Sequence, residues 1–536
     1  MDSLIVNDGT NSVTYWLPTG NEDVFFLVNE AIAKSEIICL RGSAHSFPLI
    51  KTLEKNANGR AYKYIMLSKM NKVDIDTKNS TVKVAAGCHL GFDPWDPTFT
   101  STINNSLLFQ LDQAKLAIPD LGGITHQTVG GFLSTGSSGG STKYSFEDCL
   151  IGVEIVTSEG GVATLQSFTR PANEDLDDPF FAVGVASMGL FGVMVSATFK
   201  CVPNFYIAGQ EATTVYSDCE IDLFADGTQD KKSLQSFLTD TDYTRLMWWP
   251  QINVGKMVVW KAWQATLADA QNWAGIKQTG TDPVLKPYQE VPYILNSPLP
   301  ATIAADLLFT SIGQWPDWID NILANDPITL LEIKALVDIS FYPIILPEVL
   351  KLFVQVNSDK NPIQKFADRW YTGIPMDNQM SDKLMPVWFT ELWIDISKSK
   401  DVMNDLLVFY KESNENTGAF SCEVYATKSN TFWLSPAYNQ DVIRIDVFWF
   451  GKNKGGDPTA FYTKFWDRLA KFNFRPHWGK YLPVGPMNEP IGSQNEWVGY
   501  LKDRYPKWDD WILLRNKLDP KQIFLNDYWR EHLGIK

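Results

Sequence analysis

The sequence predicts an α+β protein of two domains, the first two-lobed and the second a sheet covered by helices. Three observations carry this. The chain opens in a β-α-β pattern, the stretch 120–140 holds seven glycines in twenty-one residues, and beyond Pro203 the texture changes to long alternating strands rich in tryptophan. At 536 residues the chain exceeds one ordinary domain of ~150 residues. Its 45% hydrophobic and 20% charged content is that of a globular protein with a large core. The expected division is a first domain at 1–202, a middle domain at 203–458, and a closing segment at 459–536 that returns to the first.

In chain order, a strand over Val13–Leu17 leads to an amphipathic helix from Asn21 to about Lys34 and a strand over Ile37–Leu40. That strand runs into Arg41-Gly-Ser-Ala-His45-Ser-Phe47, a turn of small polar residues whose arginine and backbone N–H groups suit a pyrophosphate. Strands at Ile65–Leu67 and Thr81–Ala85 follow, and Gly87 closes the first lobe. Glycines as dense as those of Asp120–Gly140 are tolerated where the chain needs positive φ or close approach, and exposed N–H groups in such turns make anion-binding concavities. Val129, Phe132 and Leu133 interrupt the glycines, so the stretch reads as a folded phosphate cradle and not a flexible linker. Its spacing fits neither the G-x-G-x-x-G fingerprint nor a Walker loop. Leu150–Val156 and Val162–Leu165 read as a hairpin, and Met188-Gly-Leu-Phe-Gly192 as a turn feeding a strand over Val193–Phe199. In the middle domain, strands are expected within Leu246–Trp263 and at Val387–Ile396, Ser421–Thr427 and Val442–Phe450, with a helix at Lys400–Glu415 and apolar helices over Pro298–Val356. A domain so rich in aromatics suits an apolar ligand.

The net charge of −15 argues against a nucleic-acid binder, which must supply lysine and arginine to phosphates. Cys39, Cys88, Cys149, Cys201, Cys219 and Cys422 are scattered, with no C-x-x-C pair and no histidines at ligand spacing, so reduced, mostly buried thiols are expected and no metal. No secretory signal is visible and no run of about 18 apolar residues spans a membrane, so a cytoplasmic protein is expected.

The turn Arg41–Phe47, the glycines from Gly122 to Gly140, Gly152-Val-Glu-Ile-Val156 and Gly189-Leu-Phe-Gly192 follow in an order and spacing that resembles the PCMH-type FAD-binding domain of the vanillyl-alcohol-oxidase superfamily. Arg475-Pro-His-Trp-Gly-Lys480 and Asp519-Pro520 to Asn526 resemble the closing segment of its aldonolactone and alditol oxidase branch. Glu423-Val-Tyr-Ala-Thr is similar to the active-site strand of alditol oxidases, while the length and apolar insert resemble the flavoprotein cholesterol oxidases. The resemblance implies FAD, covalently linked through His45. It implies pyrophosphate contacts from Gly42, Ser43, Ala44, Ser46, Gly122, Gly123, Thr125, His126, Gly130, Thr135 and Gly136, joined by Arg41, with Val153 and Val195 flanking the adenine end. Lys480 is implied beside flavin N1 and C2=O, and Asn526 against the ring from the C-terminus. Glu423 is implied as the acceptor of the substrate hydroxyl proton while hydride leaves for flavin N5, with Glu290 and Glu391 as further candidates for that task.

Two positions depart from the pattern. Relatives often carry a histidine after Thr135-Gly136, where this chain has Ser137-Ser138. The pattern Glu-x-Arg is here Glu423-Val-Tyr425, and a phenol lacks the fixed charge and forked donors of arginine. Either Tyr425 serves as a hydrogen-bonding acid/base or another residue supplies the charge. The implied function is a flavoprotein oxidase that takes hydride from an alcohol or similar C–H group of a hydrophobic or cyclic small molecule and reduces O₂ to hydrogen peroxide. An aldonolactone or alditol oxidase or dehydrogenase, a biosynthetic oxidation of an amine or phenol, and a catalytically silent flavin-binding protein stand as alternatives.

Overall fold

The structure, a computed structural model, describes residues 1–7, 12–46, 57–173, 175–277, 284–290, 350–351, 354–360, 362–379, 387–418, 420–450, 457–485 and 496–535. The helices expected over Pro298–Val356 fall almost wholly outside the described residues.

The first 200 residues build two sheets. Strands β1 (Asp2–Asn7), β2 (Ser12–Leu17), β3 (Ile37–Arg41) and β4 (Tyr62–Met66) lie in the order β1-β2-β4-β3, parallel except at the β1 edge. Helix α1 (Asn21–Lys34) makes the crossover and buries Val24, Leu27, Val28, Ala31 and Ile32, one stripe at helical spacing. Each larger side chain in that stripe stabilises by about 1.5–3 kcal/mol. Asp23 accepts the Thr19 N–H at 2.9 Å at its start, and Ser35 in the left-handed region (φ 55°) ends it.

Strands β5 (Val73–Asp76), β6 (Thr81–Ala85), β7 (Leu150–Thr157), β8 (Thr164–Thr169) and β9 (Val193–Lys200) form an antiparallel sheet in the order β5-β6-β9-β7-β8. Between β6 and β7 the glycine-rich stretch does not remain a cradle throughout. Its middle winds into α2 (Val129–Thr135), because Val129, Phe132 and Leu133 share a face and are buried there; Thr128 caps its start and Gly136 (φ 67°) its end.

The middle domain is organised on one eight-stranded antiparallel sheet. Its strands are β10 (Tyr206–Val215), β11 (Tyr243–Trp249), β12 (Lys256–Ala265), β13 (Gln364–Arg369), β14 (Val387–Asp395), β15 (Cys422–Thr427), β16 (Val442–Phe450) and β17 (Arg475–Pro476). The spatial order is β13-β10-β12-β11-β15-β16-β14-β17. Helix α3 (Ser399–Glu412) packs Val402, Met403, Leu406 and Phe409 into the main core.

The closing segment divides between the two domains. Helix α4 (Thr459–Leu469) stays with the large sheet, where Trp466 Nε1 donates to Thr390 Oγ1 at 2.9 Å. After α5 (Trp508–Leu518) the chain returns to the first domain: Ser158 N donates to Leu518 O at 3.0 Å and Ile38 N to Ile523 O at 2.7 Å, ahead of α6 (Asp527–Leu533). Trp248, Trp260, Trp466, Trp478 and Trp511 are fully buried core residues. All six cysteines are free thiols, five of them buried. Among the described residues no helix is long and apolar enough to cross a membrane.

Candidate active site

Side chains alternate along a strand, so Glu423 and Tyr425 of β15 share one face, and register aligns their neighbours. Asp446 of β16 faces Glu423 on one side and Glu391 of β14 on the other; Arg444 likewise faces Tyr425 and Trp393. Two rungs therefore cross three strands, one of carboxyls and one of Tyr425, Arg444 and Trp393. On the opposite flank Met247 of β11 faces Glu423, and two residues earlier Arg245 faces Trp260, itself opposite Glu211 of β10.

The fixed charge that position 425 lacks arrives from the strands on either side. Arg444 Nη2 donates to the Tyr425 hydroxyl at 2.7 Å, and its guanidinium lies 3.9 Å from the ring centroid. Its Nε donates to Glu391 Oε1 at 2.6 Å and its Nη1 to the carbonyls of Ser138 and Gly139, both at 2.9 Å, pinning the glycine-rich stretch to the sheet. Tyr425 in turn donates to Asp446 Oδ2 at 3.0 Å, so the phenol bridges a cation and a carboxyl. Arg245 Nη1 bonds Asp377, and Nη2 reaches Tyr288 Oη at 3.2 Å and Glu211 Oε2 at 3.4 Å. Its Nε stands 3.7 Å from Glu423 Oε1.

Five carboxyls thus face two guanidiniums, and the charges sort themselves accordingly. Burial first, then the Asp377 charge, pushes Glu423 up to about 8 against the pull of the two arginines. Burial and the neighbouring Glu391 and Glu423 hold Asp446 well above the carboxylate range, and burial raises Glu211 to about 7. Glu391 ends below its ordinary value: burial works upward, and Arg444 foremost, with His477 and Lys480 beside it, overcomes it. At neutral pH, Glu423, held near 8, is mostly protonated while Glu391 and both arginines are charged.

The closing segment adds a neutral imidazole. Gly479 N–H donates to His477 Nδ1 at 3.0 Å, which leaves the ring proton on Nε2, 3.2 Å from Ser137 Oγ. Ser137 continues to Thr135 Oγ1 at 3.0 Å. Burial lowers His477 to about 4. Ser137, standing where the family pattern has a histidine, therefore meets a histidine from 340 residues away. Lys480 lies with Nζ 3.9 Å from the Phe389 ring centroid.

At the other end, β3 delivers Arg41 to the turn 42–46. Ala44 is left-handed (φ 62°), the backbone shape that aims successive N–H groups into one concavity. Ser43 Oγ donates to His126 O at 2.6 Å and the His45 and His126 rings lie 5.8 Å apart, so the turn and the glycine-rich stretch close on one another. A Cβ at Gly42 would lie 2.6 Å from Thr128 Oγ1, a close approach that glycine permits. Arg41 Nε is buried with no hydrogen-bond partner among the described residues, and the N–H groups of Ser43, Ala44, Gly122 and Gly123 have no acceptor there. Unmet cationic and backbone donors around a left-handed turn are what a pyrophosphate requires, so these residues fit the FAD expected from sequence. Ser46 ends the described part of the turn.

Several expected contacts are placed otherwise. The Gly130 N–H goes to Ala86 O at 2.8 Å and that of Gly136 to Leu133 O at 3.1 Å, the Thr135 hydroxyl goes to Gly131 O at 3.1 Å, and the Thr125 N–H goes to Asn378 Oδ1 at 2.8 Å. The segment after β6, helix formation and the loop 374–379 claim these donors. Val153 enters the main core while Val195 enters the one beneath α1, so the two do not flank one ligand end together. Asn526 Oδ1 caps α6, accepting from Trp529 N at 3.0 Å. Glu290 is held in a reciprocal clasp, its Oε2 accepting from Gln379 N at 2.6 Å and its N–H donating to Gln379 Oε1 at 3.0 Å, outside the carboxyl rung. Arg245, Arg444, Asp446 and Asp377 escaped the sequence reading. A signal exists for the first three: each is a charged residue inside an otherwise apolar strand, as in Ile443-Arg-Ile-Asp446.

Residues 101–166 match the family model described as FAD binding domain, and residues 311–532 the one described as D-arabinono-1,4-lactone oxidase. The chain is 21% identical to L-gulonolactone oxidase of Bos taurus over 517 residues, covering 96% of this chain and 93% of that protein. It is 20% identical to L-gulono-1,4-lactone dehydrogenase of Mycobacterium tuberculosis, covering 96% and 95%. Among solved structures it resembles cholesterol oxidase from Brevibacterium sterolicum with a TM-score of 0.66 at 18% identity, covering 97% of this chain and 94% of that one.

Proposed function

We propose that this chain, which belongs to the vanillyl-alcohol-oxidase (PCMH-type) superfamily of FAD-linked oxidoreductases, oxidises a hydroxyl of a small polar ring compound of the aldonolactone type. The observation that carries the reading is the pair of buried rungs, in which carboxyls and guanidiniums crowd one sheet face. A substrate dense in hydroxyls can satisfy such groups, whereas a sterol would leave them desolvated and unpaired. The apolar substrate expected from the sequence rested on the insert over Pro298–Val356; the polar residues on the sheet face favour the lactone alternative.

Bound FAD supplies the two-electron acceptor. Glu423 takes the hydroxyl proton, and because burial holds it near 8 its ionised fraction grows as pH rises through that value. Arg444 fixes Tyr425 and Glu391 in place, and Lys480 brings positive charge to the same region. Neutral His477 orients Ser137 through its Nε2–H. In this reading His45 is the covalent tether and O₂ the final acceptor, giving hydrogen peroxide.

The purified yellow chain is mixed anaerobically with L-gulono-1,4-lactone, D-arabinono-1,4-lactone and cholesterol. Bleaching by a lactone is expected; a lactone panel that never bleaches the flavin overturns the reading. Peroxide on admitting air marks an oxidase, and its absence with a working artificial acceptor marks a dehydrogenase. Acid precipitation tests the tether: colour stays in the pellet for the parent and for His126→Ala, and moves to the supernatant for His45→Ala.

A further inference from the structure

We infer that Arg245 is the cation that binds the substrate oxygen, a task moved one strand over, from position 425 on β15 to β11. The inference rests on the oxidoreductase reading above. Of the two arginines beside Tyr425, Arg444 has no donor to offer. Its Nε goes to Glu391, its Nη2 to Tyr425, and its Nη1 to two carbonyls and Thr427 Oγ1. Arg245 is as deeply buried, and its Nη1 and Nη2 are held by Asp377, Glu211 and Tyr288. Its Nε, however, is buried with no hydrogen-bond partner among the described residues, and it points at Glu423 Oε1, an acceptor that no hydrogen bond described there engages.

Buried polar groups are rarely left unmet, and two that face each other call for a shared partner. Their separation of 3.7 Å is too long for a direct bond. It is short enough for one oxygen, ~2.9 Å from Nε and ~2.7 Å from the carboxylate, to touch both. A substrate hydroxyl in that place gives its proton to Glu423 as the O–H bond breaks. The adjacent C–H leaves as hydride to bound FAD, the C–O bond becomes C=O, and the Nε–H of Arg245 holds the oxygen while it carries negative charge. Asp377, Glu211 and Tyr288 fix the guanidinium so that Nε keeps its aim.

The FAD-loaded chain is compared with Arg245→Met, Arg245→Lys and the double variant Arg245→Met/Tyr425→Arg. Arg245→Met is expected to keep its colour, to melt lower because Asp377 and Glu211 lose their cation, to bleach with lactone about 100-fold more slowly, and to regain rate with added methylguanidinium or with the second substitution. The pH midpoint of bleaching, and of the absorbance change of the resting flavin, should move upward, a shift that a purely structural arginine would not cause. Arg245→Met that bleaches within about threefold of the parent at an unchanged midpoint overturns the inference, as does a slow variant that neither guanidinium nor Tyr425→Arg restores. Should Arg245→Met not fold, Arg245→Lys decides: at least about tenfold slower supports, unchanged overturns. If no lactone bleaches the parent, the functional reading falls, and the resting-flavin titration still decides whether Arg245 governs Glu423.

Discussion

Replacing Arg444 by methionine tests the electrostatic account of the sheet face most directly. The substitution keeps an unbranched side chain but removes the charge facing Glu391, whose carboxyl is 1% exposed and would retain only the Trp393 Nε1–H at 2.7 Å among the bonds described. Breaking a buried pair by removing one partner costs about 3–5 kcal/mol, because the other charge remains desolvated. The sign of the pH dependence follows from Glu391. In the parent its pKa is depressed, so it contributes stability above the unfolded carboxylate range and loses it as pH falls through the folded value. In the variant burial acts unopposed by Arg444, the folded pKa rises, and Glu391 costs stability as pH climbs. The deficit of Arg444→Met should therefore be about 3–5 kcal/mol at pH 8 and shrink toward pH 5, read from urea unfolding midpoints of the FAD-loaded chain. Arg444→Met/Glu391→Met should recover most of the loss, since no charge is then stranded. A deficit under about 1 kcal/mol, or one that does not change with pH, refutes the reasoning.

Glu423→Gln should slow lactone-driven bleaching by about 10²–10⁴-fold and abolish its rise with pH through about 8. The same variant should melt higher than the parent, by a margin that grows from pH 5 to 8, because a carboxyl with a raised folded pKa loses stability as pH rises through that window; equal melting at pH 8 contradicts the burial argument. Gly139→Ala would place a Cβ 2.1 Å from Asp120 Oδ1 and 2.4 Å from Leu121 O, and since backbone cannot yield cheaply it should cost about 1–3 kcal/mol or more in urea unfolding. Asn526→Ala removes the cap of α6 and should cost about 1 kcal/mol in the same measurement, while Asn526→Asp should cost less.

Much of the fold is legible in sequence because its signals are local. The stripe from Val24 to Ile32 specifies α1, alternation marks the strands from Val387 and Val442, and the glycines of 122–140 announce tight backbone approach. The glycines nevertheless serve a different neighbour from the one expected. A Cβ at Gly139 or Gly140 would strike Asp120 or Thr244 and one at Gly130 would crowd Ala86, so neighbouring protein groups already require glycine there. Asn526 reads equally well as a cofactor contact or a helix cap until the residues after it are seen to wind into α6.

By itself the sequence determined the class of protein and the two lobes of the first domain, and it singled out Glu423 as the carboxyl on which the proposed site is built. It could not determine what replaces the arginine at 425. That depends on which strands lie beside β15 and in what register, and a slip of one residue would have turned Arg245 and Arg444 to the opposite face. The pairing of His477 with Ser137 likewise joins groups 340 residues apart, through a return of the closing segment that no local pattern encodes. Periodicity and turn chemistry act over a few residues and are written along the chain; the protonation of Glu423 and the aim of Arg245 arise from charges brought together by long-range pairing, and exist only once the sheet is assembled.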